Sequence, residues 1–312
     1  MTYQELFNAY SRIPMPQSNW DILNRVNSAL RRFTLKKRIL RYFAVEKNNI
    51  RNECKADDVI ISLTSFPARL NTIWQCIESL KRQTIRPERI ILYLSKEQIT
   101  KDNIPLSLTK EVDDLFEIRM VDGDIRSHKK YYYAMKEYPD KMIVTTDDDV
   151  IYPPFMLSYL LEAHSQYPKD IIANYTHVIK HENGVVAPYI EWYDLPFTQN
   201  RINTTPNQIQ VGIGGVLYPP NSLFSDVLDM DLAKELSFLA DDLWLYAQTI
   251  VGGHSVIKSR LNKKTIIPIT IKNDRTLTSE NVLQNKNDVQ FNNLRKYYLN
   301  RFDKDILNIS KK

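Results

Sequence analysis

Cysteine is almost missing from this 312-residue chain, which carries only Cys54 and Cys76. Two thiols build no disulfide framework, and nothing pairs with them as a zinc motif would. Long apolar runs are missing too: the longest falls far short of the roughly 20 residues that a membrane span needs. The opening, MTYQELFNAY, lacks a basic-then-apolar leader, so no secretion signal is expected and the expected compartment is the cytoplasm. Glycine and proline are not in excess, at 7 and 15 residues, and no internal repeat or low-complexity linker interrupts the chain. What remains, 43% hydrophobic and 25% charged, is an ordinary globular composition long enough to bury a full core.

The charge that is present is unevenly placed. Residues 1–56 hold about +7 of a chain whose net charge is +5, leaving a slightly acidic body. Within that segment, SNWDILNRVNSALRRFTLKKRILRYF reads as a helix capped by Ser18 or Asn19. Ile22, Val26, Leu30 and Phe33 recur at helical spacing, with Arg25, Arg31, Arg32, Lys36, Lys37 and Arg38 largely on other faces. The plain expectation is a helix docked on the body through the apolar stripe with its basic face in water. The other use of such a pattern, over residues 18–43, is to lie on an anionic membrane surface, which would hold the protein at the inner face of the cell membrane. Nucleic acid is not an expected partner, because no aromatic platform or reading motif accompanies the charge.

From Asp57 onward strands alternate with helices. DDVIISLTSF contains a continuous apolar run, as a strand covered on both faces requires. RLNTIWQCIESLKRQ reads as a helix, PERIILYLS and EIRMVD as strands, KKYYYAMKEY as a second crossover helix and KMIVTTD as a fourth strand. Units of this length predict an α/β fold with a mostly parallel sheet and right-handed crossovers. Beyond Tyr152, FMLSYLLEAHSQY is a helix, DIIANYTHVI and GVVAPYIEW read as a hairpin or paired strands, and QVGIGGVLYPP is a strand broken by Gly212, Gly214 and Gly215. LADDLWLYAQTIVGG is a helix with an acidic start, KTIIPITIKN a late strand, and VQFNNLRKYYLNRFDKDIL a closing helix. The expected organisation is a basic helical extension (1–56), an α/β body (57–273) and a C-terminal helical segment on the core (274–312).

The fourth strand ends in KMIVTTDDDVIYPP, with Asp147, Asp148 and Asp149 in succession at the edge of the sheet where ligands of such folds bind. One aspartate at a strand end is ordinary turn or cap chemistry. Three adjacent carboxylates repel one another, and a hard, oxygen-seeking divalent cation relieves that repulsion.

A strand ending in Asp-x-Asp some 85 residues after the first strand of a nucleotide-binding βαβ unit resembles a GT-A glycosyltransferase. The nearest likeness is to family 2-like bacterial enzymes of capsule, lipopolysaccharide or exopolysaccharide synthesis, over roughly Asp57 to Asn273. The resemblance implies a Rossmann-like GT-A fold that moves a sugar from a nucleoside-diphosphate sugar, UDP-sugar foremost, to a glycan or lipid-linked acceptor. It implies Mn2+ or Mg2+ on Asp149, with Asp147 as a second ligand, and Asp147 or Asp148 toward the nucleotide ribose. SLTSFPARL after the first strand matches the family's nucleotide-contacting loop, making Thr64, Ser65 and Arg69 candidates. RSHKKYYYAM sits where the family has a basic residue reaching the nucleotide, Lys130 first and Lys129 second.

VGIGGVLYPP resembles the glycine-rich loop beside the donor sugar, with Gly214 and Gly215, although a strand bulge would also explain the glycines. ADDLW matches an x-Glu-Asp element with Asp241 in place of Glu, so Asp242 becomes the catalytic base of an inverting reaction and Asp241 its companion. Alternatively, both simply favour the start of their helix. Trp192, Tyr193 and Trp244 are candidates for stacking on sugar rings.

The chain departs from the pattern in LYLSKEQ, which lacks an acidic residue for the base, and in TIKND, where the family often has a metal-binding histidine. His254 is a poor substitute, and His177 and His181 in a β-rich stretch do not read as a metal pair. Two rivals share the acidic site. A nucleotidyl- or phosphoryltransferase would usually carry a glycine-rich phosphate loop, and SLTSFPARL has no glycine. A non-catalytic carbohydrate-binding protein would hydrolyse no donor.

Overall fold

A computed structural model describes residues 1–16, 20–46, 54–182, 185–194, 201–261, 265–269, 285–303 and 305–309. Helix α1 (Tyr3–Ser11) starts in a capping box between Thr2 and Glu5. Helix α2 (Ile22–Val45) is capped by Asp21, whose carboxylate accepts the Asn24 N–H at 2.7 Å. The expected caps Ser18 and Asn19 lie outside the described residues. Strand β1 (Cys54–Thr64), helix α3 (Trp74–Lys81), strand β2 (Ile85–Ser95), the single turn α4 (Leu106–Thr109), strand β3 (Phe116–Val121), helix α5 (Lys129–Glu137) and strand β4 (Met142–Thr145) then alternate. Next come β5 (Val150–Ile151), α6 (Met156–Gln166), β6 (Ile171–Ala173), β7 (Thr176–Val178), β8 (His181–Glu182), β9 (Val185–Val186), β10 (Tyr193–Asp194), β11 (Gln208–Gln210) and β12 (Val216–Tyr218). Helices α7 (Met230–Ser237) and α8 (Asp241–Val251), strands β13 (Val256–Lys258) and β14 (Ile267–Pro268), and helix α9 (Lys286–Phe302) follow.

Seven strands form the central sheet in the order β13-β6-β12-β4-β1-β2-β3. All neighbours are parallel except β12, which runs antiparallel to β4 and β6. The chain is thus a mixed α/β protein with a mostly parallel sheet flanked by helices and a helical N-terminal part. The apolar run of β1 is explained by its two covered faces. Val59, Ile61 and Leu63 join one core with Ile90, Leu92 and Leu94, while Ile60 joins another with Ile91, Tyr93 and Ile143. From β1 the chain winds outward through β2 and β3, then crosses back to place β4 on the other side of β1. The carboxyl ends of β1 and β4 therefore flank a topological switch point, the crevice where open α/β sheets take ligands.

The terminal helices share these cores. Phe7, Ile39 and Phe43 are fully buried with Ile77 and Leu80 of α3, and Arg82 stacks over Tyr42 and Phe43 at 5.5 and 5.4 Å. Helix α9 buries Phe291, Leu294 and Tyr298 against α8.

Two expectations are corrected. The stripe Ile22, Val26, Leu30 and Phe33 does not dock on the body: these side chains are 76%, 49%, 59% and 56% exposed, and α2 packs instead through Ser28, Ile39 and Phe43. DIIANYTHVI and GVVAPYIEW do not pair as one hairpin. β6 enters the central sheet, whereas β7 turns out of it to pair with β10 and β11. The late strand is described only as far as Ile269, so TIKND lies outside the described residues.

Candidate active site

The acidic triplet lies just past the carboxyl end of β4, between that strand and β5. The turn is held by its own backbone: the Asp147 N–H donates to the Tyr152 hydroxyl at 2.9 Å, and the Asp149 carbonyl accepts the Ile269 N–H at 2.7 Å. The loop after β1 turns back onto the triplet. Ser65 Oγ donates to Asp148 at 2.5 Å, and Arg69 Nη1 donates to the other Asp148 oxygen at 2.5 Å while lying 3.0 Å from Asp149. One arginine thus ties Asp148 and Asp149 together. Thr64 is not part of this arrangement; its hydroxyl donates to the Tyr93 carbonyl at 2.8 Å.

Helix α5 brings Lys130 to the other side of the triplet. Its ammonium donates to Asp147 at 3.0 Å and lies 2.9 Å from Asp241 in the first turn of α8. Burial disfavours that charge, yet Asp147, Asp241 and Asp242 together hold the lysine well above its usual range, so it remains an ammonium. Lys130 is therefore a buried clamp between two acidic segments rather than a side chain reaching into open solvent. Lys129 points elsewhere and pairs with Asp124.

The carboxylates do not share one environment. Burial raises Asp148 despite Arg69 and Ser65. Asp149 is pushed up to about 6 by burial and by the charge of Asp147. For Asp241 burial also acts upward, but Lys130, His128 and Ser127 together hold the group below the usual carboxylate range. Asp242 is pushed up to about 7 by burial and by ionised Asp241 beside it. Its Oδ2 accepts the Gly212 N–H at 3.1 Å. Two adjacent aspartates thus titrate far apart, the separation expected where one keeps a charge and the other exchanges a proton near neutrality.

Glycines make this approach possible. A Cβ on Gly212 would stand 2.9 Å from both the Asp147 carboxylate and the Lys130 ammonium, so a larger residue would push that ion pair aside as the loop between β11 and β12 closes over the acidic cluster. Gly214 and Gly215, the two singled out from sequence, serve the packing around that loop: Gly214 lies against Tyr175, and Gly215 has φ +85° with Met156 beneath it. Gly212 had been read only as a break in the strand, although its place in the same glycine cluster was the available signal. A group on β7 and β10 was not foreseen at all. Tyr175 donates to Asp194, which is 3.1 Å from His177 Nε2. Tyr189 belongs to the same neighbourhood, its hydroxyl raised by burial and by Asp242.

Of the stacking candidates, Trp192 and Trp244 are core residues, 6% and 0% exposed, whereas Tyr193 is half exposed. His254 packs beside Gly252 at the opposite end of α8 from Asp241 and Asp242.

Among the described residues, ion pairs of Asp147, Asp148, Asp149 and Asp241 run to Lys130 and Arg69, so carboxylates outnumber cations at the switch point. Among the described residues no three His, Cys, Asp or Glu side chains converge as a ready-made metal cage. The oxygen-only donors Asp147 and Asp149 suit a hard cation of the Mn2+ or Mg2+ kind, which takes one or two protein carboxylates and completes its shell with water and phosphate.

No protein-family model and no curated protein matches this sequence. Among solved structures the chain is similar to the mannosyltransferase PcManGT from Pyrobaculum calidifontis in complex with GDP-Man and Mn2+. That likeness has 13% identity and a TM-score of 0.47, covering 90% of this chain and 78% of that one. It is similar to HddC from Yersinia pseudotuberculosis at 14% identity and a TM-score of 0.35, covering 55% and 79%. A Bacillus anthracis protein assigned as a glucose-1-phosphate thymidylyltransferase, in complex with a sucrose, follows at 16% and 0.34, covering 59% and 76%. At such identities and scores the chemistry of this chain rests on its own residues.

Proposed function

We propose that this chain is a metal-dependent glycosyltransferase of the GT-A kind. It would transfer a sugar from a nucleoside-diphosphate sugar, a UDP-sugar foremost, to a hydroxyl of a glycan or lipid-linked acceptor in bacterial surface-polysaccharide assembly. The observation that carries the reading is the Lys130 clamp between Asp147 of the strand-end carboxylate cluster and Asp241, with Asp242 beside it pushed up to about 7 by burial and by Asp241.

In this reaction the acceptor oxygen forms a bond to the anomeric carbon as that carbon's bond to the diphosphate oxygen breaks. The acceptor proton passes to the Asp242 carboxylate, which is poised to accept it because Asp241 and burial raise its basicity. Asp241, ion-paired with Lys130, adds its charge to the burial that raises Asp242. Arg69 and Ser65 hold Asp148 rigid, so that Asp147 and Asp149 present their partly exposed carboxylates at a fixed spacing. When bound there, a divalent cation offsets the charge gathering on the departing diphosphate. Inversion at the anomeric carbon follows if Asp242 approaches the sugar face opposite the diphosphate.

A thermal-shift screen of nucleotides with and without Mn2+, repeated on Asp149→Asn, tests this reading. The expected result is a nucleoside-diphosphate shift that needs Mn2+ in the parent and is lost in the variant. Stabilisation by nucleoside triphosphates with turnover of labelled triphosphate, and none of labelled UDP-sugars, would overturn it in favour of nucleotidyl or phosphoryl transfer.

A further inference from the structure

Helix α2 has two apolar faces, and the body uses only one. Ser28, Arg32, Ile39 and Phe43 follow one stripe inward: Ser28 donates to the Pro14 carbonyl at 2.6 Å, Arg32 to the Ile13 carbonyl at 2.9 Å, and Ile39 and Phe43 are fully buried. Ile22, Leu23, Val26, Leu30 and Phe33 lie on a separate face at about 100° per residue. All five are exposed, from 49% at Val26 to 81% at Leu23. Five large apolar side chains contiguous on one exposed helix face are unusual on a soluble surface and mark a contact.

Charge selects the occupant. The 24 residues of α2 hold seven Lys or Arg and no Asp or Glu. Arg25, Arg31, Lys37, Arg38 and Arg41 form no ion pair with any described residue, and Lys37 folds over the Phe33 ring at 4.5 Å, so cation and hydrocarbon are presented together. A groove of about 260 Å³ beside the C-terminal half adds Arg38 and Arg41 next to Leu6, Tyr42 and Val45, with Glu46 also lining it. Guanidiniums beside an apolar wall suit a lipid phosphate with its acyl chain alongside. No described helix is long and apolar enough to cross a membrane.

We infer that the exposed face of α2 docks on an anionic phospholipid surface, lying in the headgroup plane with Ile22, Leu23, Val26, Leu30 and Phe33 in the acyl boundary. The body then hangs from the buried stripe of the same helix, which holds the carboxylate crevice at a fixed orientation to the bilayer. Vesicle binding needs no turnover, so the inference stands or falls apart from the sugar-transfer reading.

The test is co-sedimentation of the full chain with vesicles of phosphatidylcholine containing about one-third phosphatidylglycerol, against phosphatidylcholine alone. The expected result is binding to the anionic vesicles only, weakened by salt. The variant Leu23→Asp/Val26→Asp/Phe33→Asp should bind about tenfold more weakly or worse, with an unchanged circular-dichroism spectrum and melting temperature. A second variant, Arg25→Gln/Arg31→Gln/Lys37→Gln, should lose most of the salt dependence. Equal binding of the parent and the triple Asp variant would overturn the inference, as would failure of the parent to bind anionic vesicles. A parent that elutes as a dimer without lipid, while the triple Asp variant elutes as a monomer, would overturn it by assigning the face to a second copy.

Discussion

The crevice at the carboxyl ends of β1 and β4 and the outer face of α2 break the same rule in opposite directions. In the crevice, Asp148, Asp241 and Lys130 are buried charges, 6%, 7% and 5% exposed. On α2, Leu23 and Ile22 are hydrocarbon left in water, 81% and 76% exposed. Folding free energy favours neither: charges lose hydration on burial, and exposed apolar side chains forgo the gain of leaving water. The crevice compensates internally through Lys130 and Arg69, whereas the α2 face has no counterpart among the described residues. That difference teaches where each feature would look for its partner: on the readings proposed above, a small charged ligand for the first and an extended surface for the second.

The sharpest way to break the comparison is to remove the base. Asp242→Asn should lower kcat/KM for sugar transfer by about 10²–10⁴-fold while leaving nucleotide binding in place, as measured by initial rates with a labelled UDP-sugar. If donor turnover survives unchanged, the buried charges of the crevice serve structure alone. Lys130→Met comes next. It strands Asp147 and Asp241 without their shared cation, and breaking a buried pair from one side costs about 3–5 kcal/mol. Urea unfolding should show that loss, with a smaller one when Asp241→Asn is added to the variant.

pH separates the two aspartates of α8. Transfer should rise with pH to a plateau through an apparent pKa of about 7, as Asp242 gives up its proton. Asp241→Asn removes the neighbouring charge and should move that rise to lower pH. Stability runs the other way. The folded state holds Asp242 protonated to about 7, above its unfolded value of about 3.9, so folded protein binds the extra proton in between. Its contribution is therefore most favourable below the unfolded value, declines as pH rises through that window, and levels off above it. Asp149, raised to about 6, adds to the same decline. In Asp242→Asn the melting temperature should vary less over this range.

Much of the fold was legible because local patterns sufficed. The apolar runs of β1, β2 and β4, with helical spacing between them, give strands and crossovers without any long-range knowledge. The position of Asp147–Asp149 at a strand end followed from the same reading. The joins across the crevice were not legible. Lys130 and Asp241 meet only because α5 and α8 both point their N-terminal turns at one edge of the sheet, and no periodicity encodes a contact between segments so far apart. Arg69 reads equally as a surface residue at a helix start, and only the fold of its loop turns it onto Asp148 and Asp149. For α2 the pattern showed an apolar stripe but not its direction, since Ile39 and Phe43 offered a second stripe to the body.

That second stripe allows the finest test of the comparison, with the smallest expected effect. Phe43 is fully buried against Ile39, Tyr3 and the α3 core, so Phe43→Ala should cost about 3–5 kcal/mol in urea unfolding. Phe33, ten residues earlier on the same helix, is 56% exposed, with the Lys37 ammonium over its ring. In lipid-free solution Phe33→Gln should change stability by no more than about 0.5 kcal/mol. A cost for Phe33→Gln approaching that of Phe43→Ala would mean that the outer face is covered by protein in solution, and the contrast between crevice and helix would vanish. With the two costs far apart, the hydrocarbon on that face contributes nothing to folding, so its contribution must come from whatever the helix meets.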